Sequence, residues 1–124
     1  MFRPQELLPP FFSFTSLIER FMVGPLFTIY ATGTGMKFAL GCLVATLGAL
    51  RVIERAGDNP ATFLLRHLSG DWGDLGAEDA HENELSLREG FRLLSAYRLT
   101  DGTKIWIITE ADRSATTVLL PEEY

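Results

Sequence analysis

The sequence predicts an α+β domain: two or three short helices packed on a small antiparallel sheet with a C-terminal three-stranded meander. Three observations carry that expectation. Between residues 46 and 90, apolar residues recur at helical spacing and are punctuated by glycines. From Phe91 onward the pattern changes to short aromatic and β-branched runs separated by turn residues. A chain of 124 residues suits one domain with one core.

Each element has a local reason. "KFALGCLVAT" reads as a short buried strand leading into a helix, with Cys42 a small buried hydrophobe. Thr46 is placed to cap that helix, Leu47, Leu50 and Ile53 form its apolar stripe, and Gly57 ends it. In "DNPATFLLRHLSG", Asn59 caps a second helix and Pro60 takes its first position. Phe63, Leu64 and Leu68 face inward and Gly70 stops the helix. A third helix is expected over Ala77–Glu89, stopped by Gly90. The runs "FRLLSAYRL", "TKIWIIT" and "ATTVLLP" then read as the meander. A three-residue Thr100-Asp101-Gly102 loop would set Tyr97 opposite Ile105, whereas a two-residue Asp-Gly turn would set it opposite Trp106.

Residues 1–35 differ from the rest, holding six of the nine phenylalanines and four of the six prolines without a sustained period. They read as an irregular apolar extension, with residues 36–124 as the compact domain and Met36 as its natural first residue. Glu6 and the prolines fit a signal peptide poorly. Gly24, Pro25, Gly33 and Gly35 interrupt the tract that would otherwise approach the length of a membrane span. The lone Cys42 forms no intrachain disulfide and no CxxC pair exists, a composition suited to a reducing, cytoplasmic compartment.

The net charge of −5 falls entirely on residues 36–124. Asp71–Glu89 alone carries seven acids against Arg88, which disfavours general affinity for phosphate backbones. The ordinary reading of such a run is a solvated helix face.

Together, "RHLSGDWGDL", "ENELSLREGFRLLSAY" and "DGTKIWIITEADRSATTVLLPEEY" resemble a family of small bacterial proteins found on plasmids and other mobile elements. Its members carry labels such as plasmid-related protein, and some are labelled a type I restriction endonuclease subunit M, the methylation subunit. The resemblance covers Phe38 to Tyr124. The family looks to enter its first helix through Ala-Thr-Pro-Gly-Ala-Leu, and here "ATLGAL" puts Leu47 in the proline position. What the resemblance implies is an accessory protein with a protein partner; it brings no activity, substrate or catalytic residue. The methylation label fails on the residues. An adenine methyltransferase needs an Asn-Pro-Pro-aromatic motif, and "LPPFF" has Leu8 in place of the asparagine. The 89 residues from Met36 onward are also too few for its cofactor-binding sheet.

Two stretches hold the candidate functional side chains. In "HLSGDWGD", His67 would favour the C-terminal end of the second helix or bond its last carbonyls. Asp71 and Asp74 would accept backbone amides in tight turns, and Trp72 would clamp the loop to the core. A calcium loop would need another spacing, and His67 and His81 are fourteen residues apart rather than four, so no metal ligand set and no cofactor is expected. In "TEADRSATT", Asp112 and Ser114 would make the turn while Arg113 pairs with a nearby acid. Two functions follow. The first is a non-enzymatic binding protein with Trp72, Asp74 and Asp112 among its binding residues. The alternative is a small hydrolase or ribonuclease using His67, Asp71, Glu110 and Arg113. The two separate on whether those four side chains meet in one concave pocket.

Overall fold

The computed structural model describes residues 35–124 together with the two-residue strand Phe12–Ser13. The remainder of the expected extension, including the Leu8–Phe11 motif, lies outside the described residues. In chain order the elements are β1 (Phe12–Ser13), β2 (Cys42–Ala45), α1 (Leu47–Ala56), α2 (Pro60–Leu68), α3 (Ala77–Glu89), β3 (Leu93–Arg98), β4 (Lys104–Thr109) and β5 (Ala115–Leu119). A 3-10 turn over Pro121–Glu123 follows β5. This is an α+β arrangement with the expected meander of β3, β4 and β5. The five strands lie in the order β1-β2-β5-β4-β3, and β2 runs parallel to β5 where the other pairs are antiparallel. The parallel pair is possible because three helices and a hairpin lie between its two strands.

The helix ends follow their local chemistry. The Thr46 hydroxyl accepts from the Ala49 amide at 3.1 Å, and Leu47 occupies the first helical position, where a proline would also fit. The Asn59 side chain accepts from Ala61 at 2.9 Å ahead of Pro60. Gly57 and Gly90 close α1 and α3 in the left-handed conformation. The hairpin adopts the three-residue loop, with Tyr97 opposite Ile105 and Gly102 at φ 90°.

One sheet face carries the main core. Tyr97, Ile105, Ile107 and Val118 pack against Ala49 and Ile53 of α1 and Ala61, Phe63 and Leu64 of α2. The other face holds a smaller cluster of Leu94, Ile108 and Leu119, flanked by Leu75, Trp106 and Tyr124. Two expectations need correction. Leu47 is exposed, because the buried stripe of α1 runs through Ala49 and Ile53 and leaves the first position turned away. Cys42 is also exposed, since β2 is buried only at its Ala45 end.

The outer edge of β3 is closed without another strand. Asn83 of α3 is buried and grips Leu94 on both backbone groups, donating to its carbonyl at 2.5 Å and accepting from its amide at 3.1 Å. Two residues on, the Ala96 amide donates to the Trp72 carbonyl at 3.1 Å and its carbonyl accepts from the Asp74 amide at 2.6 Å. Gly73 lies at φ 76°, where an added Cβ would sit 2.0 Å from the Ala96 carbonyl oxygen. The close approach therefore requires glycine. With these groups occupied, the edge offers little to an incoming strand.

Asn83→Ala would leave the Leu94 amide and carbonyl buried without their partner. We expect a loss of about 1–3 kcal/mol for each stranded group in urea unfolding, together with a new tendency to aggregate. Unchanged stability would show that water replaces the amide.

Candidate functional site

"HLSGDWGD" begins inside the domain and ends on its surface. His67 follows Phe63 by one helical turn on the inward stripe of α2, and its ring is completely buried. It lies in the last turn of α2, as the sequence suggested, but its side chain turns into the core and bonds hydroxyls of the sheet instead of the last helix carbonyls. Its Nδ1 lies 2.5 Å from the Ser95 hydroxyl and its Nε2 lies 2.9 Å from the Thr109 hydroxyl. Thr109 lies 2.8 Å from Thr116, and Thr116 donates to the Leu40 carbonyl at 2.7 Å. A hydroxyl has one proton, so the directions follow from the far end of this path. Thr116 gives its proton to Leu40 and must accept from Thr109. Thr109, having donated, must accept from His67 Nε2–H. Burial keeps the ring neutral, so its proton is on Nε2 and Nδ1 is left to accept from Ser95.

Burial pushes the His67 pKa down from the ordinary 6.5 to about 3, and the nearby Arg113 charge pushes in the same direction. Phe38 meets the imidazole edge at 5.1 Å between ring centroids, and Trp72 does so at 5.9 Å. Trp72 is itself buried and donates its indole N–H to Glu84 of α3 at 2.7 Å. The two aromatic rings thus pack directly against the histidine.

The acids of the stretch are engaged on the surface. Asp71 takes the Arg66 guanidinium at 2.6 Å and also accepts from the Gly73 amide at 3.1 Å. The Arg66 hydrogen bond is the main reason its carboxyl is held below the usual range. The Asp71 carbonyl accepts from the buried Tyr97 hydroxyl at 2.7 Å, and burial raises that phenol's pKa. Asp74 pairs with Arg98 at 3.0 Å. Both ion pairs are exposed and each contributes little to stability on its own.

The β4–β5 connection is organised separately. Asp112 accepts from the Ser114 amide at 2.9 Å, and bonds from Ser114, its side chain first, lower the carboxyl's pKa. Arg113 pairs with no acid among the described residues, contrary to expectation. Its turn folds back over the end of α3, so the guanidinium donates to the carbonyls of Phe91 at 2.6 Å, Ser86 at 3.1 Å and Glu110 and Ala111 at 3.1 Å each. Those bonds hold Arg113 at φ 61°, an uncommon backbone state for a residue with a side chain. Glu110 instead pairs with the buried Arg92 at 3.3 Å.

The four side chains of the enzyme alternative are thus engaged in different places. His67 is inside the core, Asp71 is beside Arg66, Glu110 is beside Arg92, and Arg113, though near enough for its charge to act on His67, is spent on carbonyls around the end of α3. His81 is exposed on α3, and among the described residues no three of His, Cys, Asp and Glu come together as a metal site would require.

A different feature was invisible in the sequence. Between α3 and the second sheet face lies a groove of about 680 Å³, walled by Leu75, Leu85, Phe91, Leu94, Trp106 and Tyr124. Asp79 and Glu82 stand on its α3 rim. Phe91 is 55% exposed and Leu85 38%, so two large apolar side chains meet solvent at its mouth. A shallower cleft of about 280 Å³ lies between the Arg66 and Arg98 side chains, beside Gly73 and Tyr97. No family model, curated protein or solved structure matches the chain. No helix among the described residues is long and apolar enough to cross a membrane.

The buried imidazole has a consequence for stability against pH. Above pH 6.5 His67 is neutral in both folded and unfolded chains. Below it the unfolded chain binds a proton that the folded chain refuses until about pH 3. Stability therefore falls as pH is lowered from 6.5 toward 3, by up to about 1.4 kcal/mol per pH unit. Urea unfolding between pH 7 and 4.5 should show that slope in the wild type and lose most of it in His67→Gln, which is less stable at pH 7. Equal slopes in both proteins would contradict the assignment.

Proposed function

We propose that the chain works by binding a protein partner rather than by turnover, as a cytoplasmic accessory protein of a plasmid or other mobile element. The mobile-element setting rests on the resemblance of Phe38–Tyr124 to that family. The binding reading is carried by one observation: the groove beside α3 presents Phe91, Leu85 and Trp106 in an open, largely apolar wall. A concave, mostly apolar cleft with a few polar groups at its edge is where proteins commonly bind ligands. Aromatic side chains at its centre suit the anchoring contacts of a protein interface.

The hydrolase or ribonuclease alternative asks His67, Asp71, Glu110 and Arg113 to meet one substrate. Their separate engagements count against it, as does an imidazole that stays neutral and enclosed. The proposed binding roles of Trp72, Asp74 and Asp112 are also weakened. Trp72 is buried against His67, Asp74 is paired with Arg98, and Asp112 shapes its own turn.

Affinity purification of the full chain from its own host, after crosslinking in cells, tests the reading when wild type is compared with Phe91→Glu. An exposed position should tolerate the change within about 0.5 kcal/mol. We expect a protein crosslinked to α3 or the Phe91 segment in the wild type and its loss in the variant. Equal recovery from both, or no crosslinked partner from either, would overturn the proposal.

A further inference from the structure

We propose that the groove takes a basic amphipathic helix of the partner protein, whose apolar stripe enters it while cations one turn apart meet Asp79 and Glu82. This rests on the binding reading above and specifies the partner's chemistry.

The acidic rim is the first support. Of the seven acids in Asp71–Glu89, Asp71 and Asp74 are paired with arginines and Glu84 holds the Trp72 indole. Glu78, Asp79, Glu82 and Glu89 make no ion pair among the described residues. Asp79 and Glu82 are one turn apart, on the same side of α3 as Asn83 and Ser86, which also line the groove. Two carboxylates that close on one helix face offer a cation a pair of partners. Asn83 and Ser86 are the buried residues of the helix, which leaves its acids at the surface.

Shape is the second support. α3 has 13 residues, about 20 Å of helix, and forms one bank of the groove, with the sheet surface at Leu94 and Trp106 opposite. Apolar side chains at helical spacing along a partner would occupy that trough. Among the described residues Arg92 is the one cation lining the groove, and it already has Glu110 against it and donates to the Tyr124 hydroxyl at 2.9 Å. The charge offered to a ligand is therefore negative.

Other occupants fit less well. Nucleic acid and anionic lipid surfaces are repelled by the rim. A partner strand finds the β3 edge occupied at Leu94 and Ala96. In a symmetric contact with a second copy, two acidic rims would share one small interface.

The test uses dye-labelled peptides of about 18 residues, long enough for useful helicity, with leucines on one face and lysines, glutamines or glutamates on the other. Fluorescence anisotropy measures their binding to the full chain. We expect the leucine–lysine peptide to bind about tenfold or more tightly than the leucine–glutamine peptide, and its affinity to fall with added salt. Asp79→Lys with Glu82→Lys should abolish that preference, and Asp79→Asn with Glu82→Gln serves if the reversal does not fold. Phe91→Glu should remove binding altogether. Equal affinity for the glutamine peptide, still lost in Phe91→Glu, would overturn the basic-helix assignment and leave the binding reading standing. No peptide binding, or binding indifferent to Phe91→Glu, would overturn both. A wild-type dimer in sedimentation velocity that Phe91→Glu dissociates would give the groove to a second copy and overturn the inference. Tighter peptide binding after Phe21→Glu with Phe27→Glu would give it to the chain's own first residues, with the same result.

Discussion

His67 enters the core with two ring nitrogens to satisfy, and the three strands of the meander each supply a hydroxyl to the path that satisfies them. Ser95 comes from β3, Thr109 from β4 and Thr116 from β5, and the path ends on the Leu40 carbonyl ahead of β2. One side chain of α2 is thereby tied to three neighbouring strands and to the segment leading into a fourth. An unpaired imidazole or hydroxyl at this depth would be costly, so the path constrains the register of the strands as well as the seat of the helix. Apolar packing around Tyr97 and Ile107 supplies the burial; the polar path selects one arrangement of it.

The same constraint explains the run from His67 to Asp74. Once the imidazole is inside, the chain must leave α2, cover the ring and reach the sheet edge within a few residues. Trp72 covers it, Gly73 permits the close pass over Ala96, and Asp71 and Asp74 clip the loop to arginines on α2 and β3. Asn83 continues the closure of that edge from α3. The imidazole, carboxylates and indole that look reactive as a string are thus members of one structural joint. The larger of the two clefts described lies on the other side of the sheet, where α3 stands over an apolar trough.

Much of the fold is legible in the chain itself. Local chemistry places the Thr46 and Asn59 caps, Pro60, the stop at Gly57 and the span Ala77–Glu89, and it narrows the hairpin to two registers of which the structure takes Tyr97–Ile105, because each depends on residues near it in sequence. The parallel pairing of β2 with β5 is not legible, since it joins residues more than seventy positions apart. The inward turn of His67 was available from its spacing to Phe63. Its partners were not, because Ser95, Thr109 and Thr116 become one cluster only when three strands are side by side. Their alternation with Tyr97, Ile107 and Val118 was the available signal, a polar residue on the inner face of each strand. Leu47 and Cys42 misled because apolar character does not reveal which end of a short element is covered. The groove left no trace in the sequence, being made by Leu75, Phe91, Trp106 and Tyr124 from four separate segments.

The central claim is that His67 is a neutral, enclosed imidazole protonated on Nε2, which leaves it no role in proton transfer with solvent. Nitrogen-15 correlation spectra of the histidine rings, recorded on the folded chain, test that directly. The account predicts one ring with a pyrrole-type Nε2 and a pyridine-type Nδ1, its shifts unchanged between pH 8 and 5. A His67 ring that titrates near pH 6.5, or carries its proton on Nδ1, would contradict it.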